Sequence, residues 1–448
     1  MKVLFVSSEC FPLVKTGGLA DVAGALPLAL SDIDVDAPVL LPAYLGLLDK
    51  VQHPVVLAEV TNLFGGPARI VGAESGGLRL LLIDAPHLYA RPGGPYLDPA
   101  GNDWPDNHLR FAALSWVAAG IATGTLALAD GWRPDVVHLH DWQAALTAAY
   151  LHFHKGPTPP SLLTVHNLAF QGVFPTEVLK PLKLPVAAGR LDGMEYWGKV
   201  SFLKAAVKWA NHVSTVSPTY AREITTEKEG MGFDGLLRER GDQVTGIANG
   251  IDTTVWNPAT DPHLVARYGP NRLHLKATNK ADVQAAFRLD RDPESLLFCV
   301  VSRLTEQKGL DLLADAVGHL VHRGAQLAVL GTGDRALELA FHRAAELNPG
   351  RVGVHIGYDE GLAHRLQAGA DAILMPSRFE PCGLSQLCGL RYGTLPVVAR
   401  VGGLADTVID ANEAALADGV ATGFQFSPVD HDNMKADRKS TRLNSSHT

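Results

Sequence analysis

The sequence has little of several features that would define a function class at once. Its 39 Lys and Arg are outnumbered by 47 Asp and Glu, so the formal net charge is −8. That balance predicts neither a nucleic-acid partner nor a membrane partner held by bulk charge, although a few local cations could still bind a phosphate ester. The four cysteines form no CxxC pair in 448 residues. They exclude a disulfide scaffold and a CxxC zinc site, and they favour a reducing, cytoplasmic location.

Long hydrophobic runs are also scarce. Residues 111–129 carry no charge, which approaches the length of a membrane span, but Ala, Gly, Thr and Ser dominate the stretch. We therefore expect a buried helix there. The apolar start of the chain ends at Ser7, Ser8 and Glu9, which indicates a short strand rather than a signal peptide.

What the chain does contain is a globular composition, with 46% hydrophobic and 19% charged residues. Short apolar runs alternate with helical patterns, which predicts α/β domains with parallel sheets covered on both faces. A helix is predicted over Leu19–Leu30. The predicted strands are Val3–Val6, Leu78–Ile83, Val136–Leu139, Ser161–Val165, His212–Thr215, Leu296–Val301, Ala325–Leu330, Gly353–Ile356, Ala372–Met375 and Pro396–Ala399.

The turn-rich stretch around residues 244–262 indicates a domain boundary. We expect an N-terminal domain over 1–246, a hinge over 247–262 and a C-terminal domain over 263–436. Residues 437–448 are polar and resemble a translated sequencing adapter, so they are left out of the fold prediction. Two such domains facing each other form a cleft, and ligands of parallel sheets bind at the carboxyl ends of the strands.

A glycine-rich segment follows the first predicted strand. Lys15 precedes Gly17 and Gly18, which open the next predicted helix. Glycines allow close backbone approach to a ligand, and a helix N-terminus favours an anion. The segment matches neither GxGxxG nor a P-loop, so it predicts neither a dinucleotide site nor a kinase. From the residues alone, a phosphate site and a structural turn both remain open.

Two further motifs end predicted strands in the N-terminal half. His138 and His140 should share one face of their strand, with Asp141 at its tip. An HxHD cluster can bind a metal, but no matching ligand set completes the site. Asp141 as a partner for sugar hydroxyls is therefore the favoured interpretation. His166 lies just past the next strand, where a structural and a catalytic role are equally open.

Arg303 and Lys308 lie five residues apart in a strand-to-helix loop. Such cations can neutralise a diphosphate leaving group, or they can be solvated surface charges. Glu380 follows another strand, with Pro381 expected near the first position of a helix. A carboxylate beside a helix N-terminus suits a diphosphate and sugar hydroxyls together, and the alternative is a simple capping acid.

Strand ends in both domains thus carry candidate groups. They are Lys15, Asp141, His166, Arg303, Lys308 and Glu380. Their placement predicts one anionic, hydroxyl-rich substrate in the cleft.

Several segments, in this order, together resemble bacterial glycogen synthases and the related plant starch synthases. They are KTGGLADV (15–22), HDW (140–142), TVHNLAFQG (164–172), SPTYAREI (217–224), NGID (249–252), SRLTEQKGLDLL (302–313), PSRFEPCGL (376–384) and GGLADTV (402–408). The resemblance runs from Lys2 to about residue 436. It implies the GT-B fold, in which two Rossmann-like domains face each other across a deep cleft.

The resemblance also implies transfer of glucose from ADP-glucose to the non-reducing end of an α-1,4-glucan, with retention and without metal or cofactor. Arg303 and Lys308 would neutralise ADP, and Asp141, His166 and Glu380 would hold the glucosyl unit. Tyr358 would stack on adenine, and Tyr96 would serve the acceptor side. The other implied substrate-binding residues are Lys15, Gly17, Gly18, Asp21, Asn167, Asn249, Cys382, Gly383 and Leu384.

The resemblance implies no positioned nucleophile. ADP leaves first, an oxocarbenium-like ion forms, and the leaving phosphate takes the proton of the acceptor hydroxyl attacking from the same face. Two departures stand out. Cys388 occupies a position where relatives carry Glu or Tyr. We also expect the adapter-like tail to stand in place of the final crossover helix that the resemblance implies. We expect weaker coupling between the domains and exposed apolar surface on the first.

Rival interpretations are another GT-B transferase, an α-glucan phosphorylase, or a silent glucan-binding protein on the same scaffold. No motif for a pyridoxal phosphate lysine is found, which disfavours the phosphorylase. An aromatic content of 7% is unremarkable for a binding protein. A protein that only binds glucan does not need both Arg303 and Lys308.

Overall fold

The computed structural model describes residues 1–430. They form two compact units, one made of Met1–Val216 and Ala221–Ile247, the other of Ser217–Tyr220 and the chain from Ala248 onward. The adapter-like residues 437–448, and the end of the C-terminal domain expected at 436, lie outside the described residues. Within the described chain, no helix has the length and apolar character needed to cross a membrane.

The first unit is built on a nine-stranded sheet with helices packed against it. Its strands are β1 (Val3–Val6), β2 (Val39–Pro42), β3 (Gln52–Val60), β4 (Ala68–Ser75), β5 (Leu78–Asp84), β6 (Val136–His140), β7 (Ser161–Val165), β8 (Val173–Phe174), β9 (Glu195–Tyr196), β10 (Lys199–Ser201), β11 (His212–Thr215) and β12 (Val244–Gly246). Its helices are α1 (Gly18–Ser31), α2 (Pro86–Tyr89), α3 (Asn107–Thr123), α4 (Asp141–Ala144), α5 (Leu146–His152), α6 (Phe202–Trp209) and α8 (Asp234–Arg240). Helix α7 (Pro218–Glu223) is divided between the two units, since Ser217–Tyr220 belongs to the second.

The strand order of the large sheet is β12-β11-β7-β6-β1-β2-β5-β4-β3, and β8, β10 and β9 form a separate small sheet. The strands from β12 to β5 are parallel, as the apolar runs predict, but β4 pairs antiparallel with both β5 and β3. The exception has a local cause. Gly76 and Gly77 turn the chain tightly between β4 and β5, and a two-residue turn leaves no room for a crossover helix.

The uncharged stretch predicted as a buried helix is confirmed in α3, which is buried along nearly its whole length. The helix ends at Thr123, earlier than the end of the uncharged run. Gly124 adopts a left-handed conformation (φ +77°) and terminates it.

The second unit contains a six-stranded parallel sheet in the order β15-β14-β13-β16-β17-β18. Its strands are β13 (Leu297–Val301), β14 (Gln326–Gly331), β15 (Val352–Ile356), β16 (Ala372–Met375), β17 (Leu395–Ala399) and β18 (Phe424–Phe426). Its helices are α9 (Lys276–Ala286), α10 (Leu310–His322), α11 (Arg335–Leu347), α12 (Glu360–Gly369), α13 (Ser385–Tyr392), α14 (Gly402–Thr407) and α15 (Glu413–Ala417).

This sheet is covered on both faces, as predicted. Val300 packs into one apolar core with residues of α10, and its neighbour Cys299 packs into the core on the opposite face. The alternation explains why the strands of this unit are continuous apolar runs.

In both sheets the strand order reverses at one point. The chain winds one way from β1 through β2 to β5 and the other way from β6 through β7 to β11. In the second unit it winds from β13 through β14 to β15, and then from β16 through β17 to β18. The loops after β1 and β6, and those after β13 and β16, therefore diverge from each other and leave a crevice at the carboxyl ends.

A buried polar network ties the segment 252–263 to the helices of the second unit. Asp261 Oδ2 lies 2.7 Å from His364 Nδ1 and accepts a hydrogen bond of 2.6 Å from the Tyr392 hydroxyl. Trp256 stacks on the His364 ring at 3.9 Å. Burial by itself raises the pKa of Asp261, but the bonds from His364, Tyr392 and the His263 amide outweigh it and hold the pKa below its usual value.

We expect Asp261→Asn to lower the free energy of unfolding by about 2–3 kcal/mol at pH 7, because it breaks charge-assisted bonds in a buried site. A carboxyl with a lowered folded pKa contributes stability above its unfolded pKa of about 3.9, so the deficit should shrink as pH falls below about 4. Urea unfolding followed by circular dichroism measures both effects.

The matched control is Asp282→Asn, which removes a partly exposed ion pair with Arg365. We expect a change of about 0–1 kcal/mol for this variant. Equal losses for the two variants would contradict a special role of the buried network.

Candidate active site

The crevice of the second unit is lined by the loops after β13 and β16. Gly309 has φ +64°, and a Cβ at this position would lie 1.9 Å from the Pro376 carbonyl oxygen. The two loops therefore pack backbone to backbone, and glycine is required at the contact.

Lys308 and Glu380 meet across these loops. Lys308 Nζ donates to Glu380 Oε2 at 2.6 Å, and the Ser377 hydroxyl donates to the same oxygen at 3.0 Å. Glu380 is buried, and only 18% of the Lys308 side chain is exposed. Lys308 is thus no solvated surface cation. The pair places a cation and a carboxylate side by side at the carboxyl edge, which is suited to a ligand carrying both a diphosphate and hydroxyl groups.

The expected helix start beside Glu380 is wrong. Helix α13 begins at Ser385, four residues after Pro381, because Gly383 adopts a left-handed conformation (φ +72°) between them. Its N-cap residue is Leu384, without a side-chain capping bond. The carboxylate of Glu380 bonds to Lys308 and Ser377, so the capping-acid alternative is also wrong.

Asn249 and Cys382 are brought together in the same unit. Burial raises the pKa of the Cys382 thiol to about 11, and hydrogen bonds from Asn249 offset part of that effect. A Cβ on Gly403 would lie 2.3 Å from the Cys382 carbonyl oxygen, so the loop after β17 packs closely on the 376–384 segment. Cys388, the departure from the family pattern, is buried in α13.

Arg303 and Tyr358 lie at the same edge of the sheet but on the surface. Arg303 is exposed two residues after the end of β13. Tyr358 follows β15, is 67% exposed, and donates a hydrogen bond to the Glu360 carboxylate. Since β14 separates β15 from β13, Tyr358 is displaced from Arg303 by two strand spacings, about 10 Å.

Arg378 is a residue of this site that the sequence prediction missed. Its guanidinium donates to both carboxylate oxygens of Asp311 at 2.6 Å and to the Glu306 carbonyl at 2.7 Å. The Arg378 amide also donates to the Gln307 carbonyl at 2.9 Å. Arg378 therefore clamps the Lys308 loop onto the Glu380 loop. Asp311 is 67 residues away in sequence, and no local pattern pairs it with Arg378.

In the first unit, the loop after β1 is organised by Glu9, which the sequence prediction also missed. This buried carboxylate accepts bonds from the Thr16 amide at 2.5 Å and the Gly17 amide at 3.1 Å. It also accepts 2.5 Å bonds from the hydroxyls of Thr16 and Tyr96. Glu9 thereby holds Tyr96 and the glycine-rich segment together. Its signal in the sequence was a charged residue three positions after the end of a buried strand.

The glycine-rich segment itself opens α1 with Gly17 at the N-cap and Gly18 as the first helical residue. Gly17 is extended (φ −157°), and a Cβ there would meet no atom within 4 Å. The backbone conformation and packing of the described chain therefore do not require glycine at 17. Lys15 Nζ bonds to Asp21 at 2.9 Å, which makes these two predicted residues neighbours.

Asp141 lies at the tip of β6 with an unusual left-handed backbone (φ +55°). Its Oδ1 accepts a 2.6 Å bond from the His166 amide and a longer one, 3.4 Å, from the Asn167 amide. Burial raises the pKa of Asp141 to about 7, these bonds oppose the rise, and the charge of Glu9 adds to it. The structure thus brings Asp141, His166 and Asn167 together across β6 and β7.

The histidines of this edge are uncharged at neutral pH. The rings of His138 and His140 lie on one side of β6, 4.1 Å apart, as strand alternation predicts. His140 Nδ1 lies 2.9 Å from His166 Nε2. Burial lowers the pKa of His138 to about 3 and that of His166 to about 4, and it holds the pKa of His140 well below its usual range. Residues 1–430 contain no cluster of three His, Cys, Asp or Glu arranged to hold a metal.

We expect Asp141→Asn to stabilise the protein at pH 8 by roughly 1–3 kcal/mol, because the folded chain then no longer buries a charge. A carboxyl whose pKa is raised in the folded state makes the protein less stable as pH rises from the unfolded pKa of about 4 to the folded pKa of about 7. The gain should therefore shrink at pH 5, where the native carboxyl is protonated. Thermal unfolding at both pH values measures the difference.

The control is Asp49→Asn, at an exposed carboxylate of the same unit, with no expected change at either pH. A loss of stability in Asp141→Asn that is equal at pH 5 and pH 8 would contradict the raised pKa.

The sequence of this chain matches families of known function. A family model for the starch synthase catalytic domain matches residues 2–239, and one for the group 1 glycosyl transferases matches residues 284–437. A glycogen synthase from Roseobacter denitrificans is 58% identical over 97% of this chain and 90% of its own length. A glycogen synthase from Rhodopseudomonas palustris is 56% identical over 97% of this chain and 89% of its own.

Solved structures agree with these sequence relatives. The catalytic domain of starch synthase IV from Arabidopsis thaliana, bound to ADP and acarbose, matches with a TM-score of 0.90 and 29% identity. The match covers 100% of this chain and 92% of that domain. Sucrose-phosphate synthase from Thermosynechococcus elongatus shares the fold, with a TM-score of 0.59 and 16% identity, covering 99% of this chain and 90% of that one.

The described architecture is therefore GT-B, with two α/β units built on mostly parallel sheets. Since a catalytic-domain model matches more than half of the chain, and relatives above 50% identity cover nearly all of it, the chain belongs to the glycogen synthase family of glycosyltransferases.

Proposed function

We propose that this enzyme moves glucose from ADP-glucose to the non-reducing end of an α-1,4-glucan, with retention of the α configuration. The observation that carries the proposal is the buried contact between Lys308 and Glu380 at the crevice of the second unit. It supplies one cation for a departing diphosphate and one carboxylate for sugar hydroxyls, within a single hydrogen-bonded pair.

The second unit would bind the donor. Arg303 and Lys308 would face the diphosphate, with the backbone amides of Gly383 and Leu384 as further donors near the start of α13. Tyr358, exposed in the loop after the outer strand β15, would stack on adenine. That the similar starch synthase was solved with ADP supports an adenine nucleotide as a ligand of this enzyme.

The first unit would hold the sugar and the acceptor. Asp141 and neutral His166 would hydrogen-bond to hydroxyls of the glucosyl unit, and Lys15 with Gly17 and Gly18 would approach the donor phosphate. Asn249, which contacts Cys382, would line the sugar site of the second unit. Tyr96, tied to Glu9, would serve the acceptor. In this proposal the domain over 1–246 binds the acceptor, the domain over 263–436 binds the donor, and residues 247–262 form the hinge.

The proposed reaction uses no enzyme nucleophile. The bond between glucose C1 and the phosphate oxygen breaks, and the electron pair leaves with ADP. The acceptor hydroxyl attacks C1 from the face that ADP has left, and its proton passes to the departing phosphate. Lys308 and Arg303 would stabilise the charge that grows on the phosphate, while Glu380 orients the sugar. We place the enzyme in the cytoplasm, which a chain with only four cysteines, all buried, favours, with no nucleic-acid or membrane partner.

We expect Lys308→Ala to lower kcat by about 10²–10³, because a charge that stabilises the leaving group is lost. ADP release from ADP-glucose, with glycogen as acceptor, measures the rate. Lys228→Ala serves as control, since the side chain of Lys228 is 87% exposed, and it should retain full activity. A folded wild-type protein that is inert with both ADP-glucose and UDP-glucose would instead support the silent glucan-binding alternative.

We expect Tyr358→Ala to raise KM for ADP-glucose about five- to tenfold, roughly 1–1.4 kcal/mol, with little change in kcat, because stacking on adenine binds ground state and transition state alike. Tyr358→Phe keeps the ring but removes the hydrogen bond to Glu360, and it should behave like wild type. A larger defect in Tyr358→Phe would assign the effect to the hydroxyl and contradict stacking.

A further inference from the structure

Trp197 in the first unit has a left-handed backbone conformation, which is unfavourable for a bulky side chain. Trp197 and Gly198 form the two-residue turn between β9 and β10, with φ of +52° and +76°. Such a turn favours Asn-Gly, because most side chains crowd the backbone at positive φ. A bulky residue at the first position is a conformational outlier.

Burial does not explain the choice of residue, since Trp197 is 82% exposed. The hairpin is anchored instead by its neighbour Tyr196, whose ring stacks on Phe233 at 5.1 Å and whose hydroxyl donates to the Met231 carbonyl at 2.6 Å. The indole is therefore displayed at the tip of a fixed turn. Strain held in an exposed position indicates a function rather than a contribution to stability.

The hairpin is fastened to the loop that carries His166 and Asn167. Strand β10 pairs with β8, which continues that loop. The Ser201 hydroxyl donates to the Gln171 carbonyl at 2.8 Å, and the Gln171 side chain donates to the Met231 carbonyl at 3.0 Å. The exposed aromatic is thus structurally continuous with the candidate site of the first unit, and Phe170 of the same loop is 47% exposed.

We infer that Trp197 is a stacking platform for the α-1,4-glucan chain, at a subsite beyond the sugar that accepts glucose. The inference rests on the proposed function, since a polymeric acceptor must extend past the reacting end. A glucose ring has an apolar face edged by hydroxyls, and an indole offers a wide apolar surface with one N–H donor at a wet position. A neutral polymer requires no charged partner there.

The test is Trp197→Asn, which removes the platform while supplying the residue that the turn prefers. Its melting temperature should rise. KM for glycogen should increase about tenfold, equivalent to about 1.4 kcal/mol. We expect kcat, KM for ADP-glucose and KM for maltose as a short acceptor to stay within twofold. The KM of Trp197→Phe for glycogen should lie between those of the wild type and Trp197→Asn. The control, Val186→Asn, alters a residue of the same unit that is 88% exposed and should change none of these values.

A lower melting temperature with equal loss on glycogen and maltose would show a structural role and overturn the inference. An unchanged KM for glycogen would overturn it too, as would a shift to a smaller species in sedimentation, which would assign Trp197 to a protein contact. If the wild type releases no ADP, the proposed function fails on its own. Native electrophoresis in a gel that contains glycogen then still tests glucan binding by Trp197. If Trp197 binds glucan, Trp197→Asn should migrate faster than the wild type in that gel.

Discussion

The candidate site depends on one topological constraint, the reversal of strand order in each parallel sheet. Where β13 gives way to β16, the following loops part and leave room for a ligand, and the same happens between β1 and β6. Lys308 and Glu380 in the second unit, and Asp141 in the first, lie in or beside such loops. Residues distant in sequence meet because parallel strands all end at one edge.

The charged groups are arranged differently in the two crevices. The second unit keeps its opposite charges paired, with Lys308 on Glu380 and Arg378 on Asp311. The cations available to a diphosphate are therefore neutralised by neighbouring carboxylates when no ligand is bound. The first unit buries Asp141, which raises the pKa of its carboxyl to about 7, and the histidines at the same edge stay uncharged at neutral pH. One crevice is suited to a strongly anionic group and the other to neutral hydroxyls.

Much of this could be predicted from the sequence, because strands buried on both faces are continuous apolar runs. Strands β1, β7, β11 and β16 have the bounds that such runs indicate. Strands β2, β3 and β4 were missed. Strand β3 is largely exposed although it contains the apolar run 55–58. Motifs identified the site residues Lys308 and Glu380, but their positioning partners escaped. Arg378 reaches Asp311 across 67 residues, and Glu9 acts through backbone amides that no pattern displays. The delayed start of α13 followed from the backbone of Gly383.

The central claim is that the edge carrying Lys308 and Glu380 holds the leaving nucleotide. A crystal structure of this chain grown with ADP tests it most directly. The account predicts the diphosphate within hydrogen-bonding distance of Lys308 Nζ and Arg303, beside the amides of Gly383 and Leu384, with adenine against Tyr358. A nucleotide bound elsewhere, or a diphosphate touching neither cation, would contradict the account.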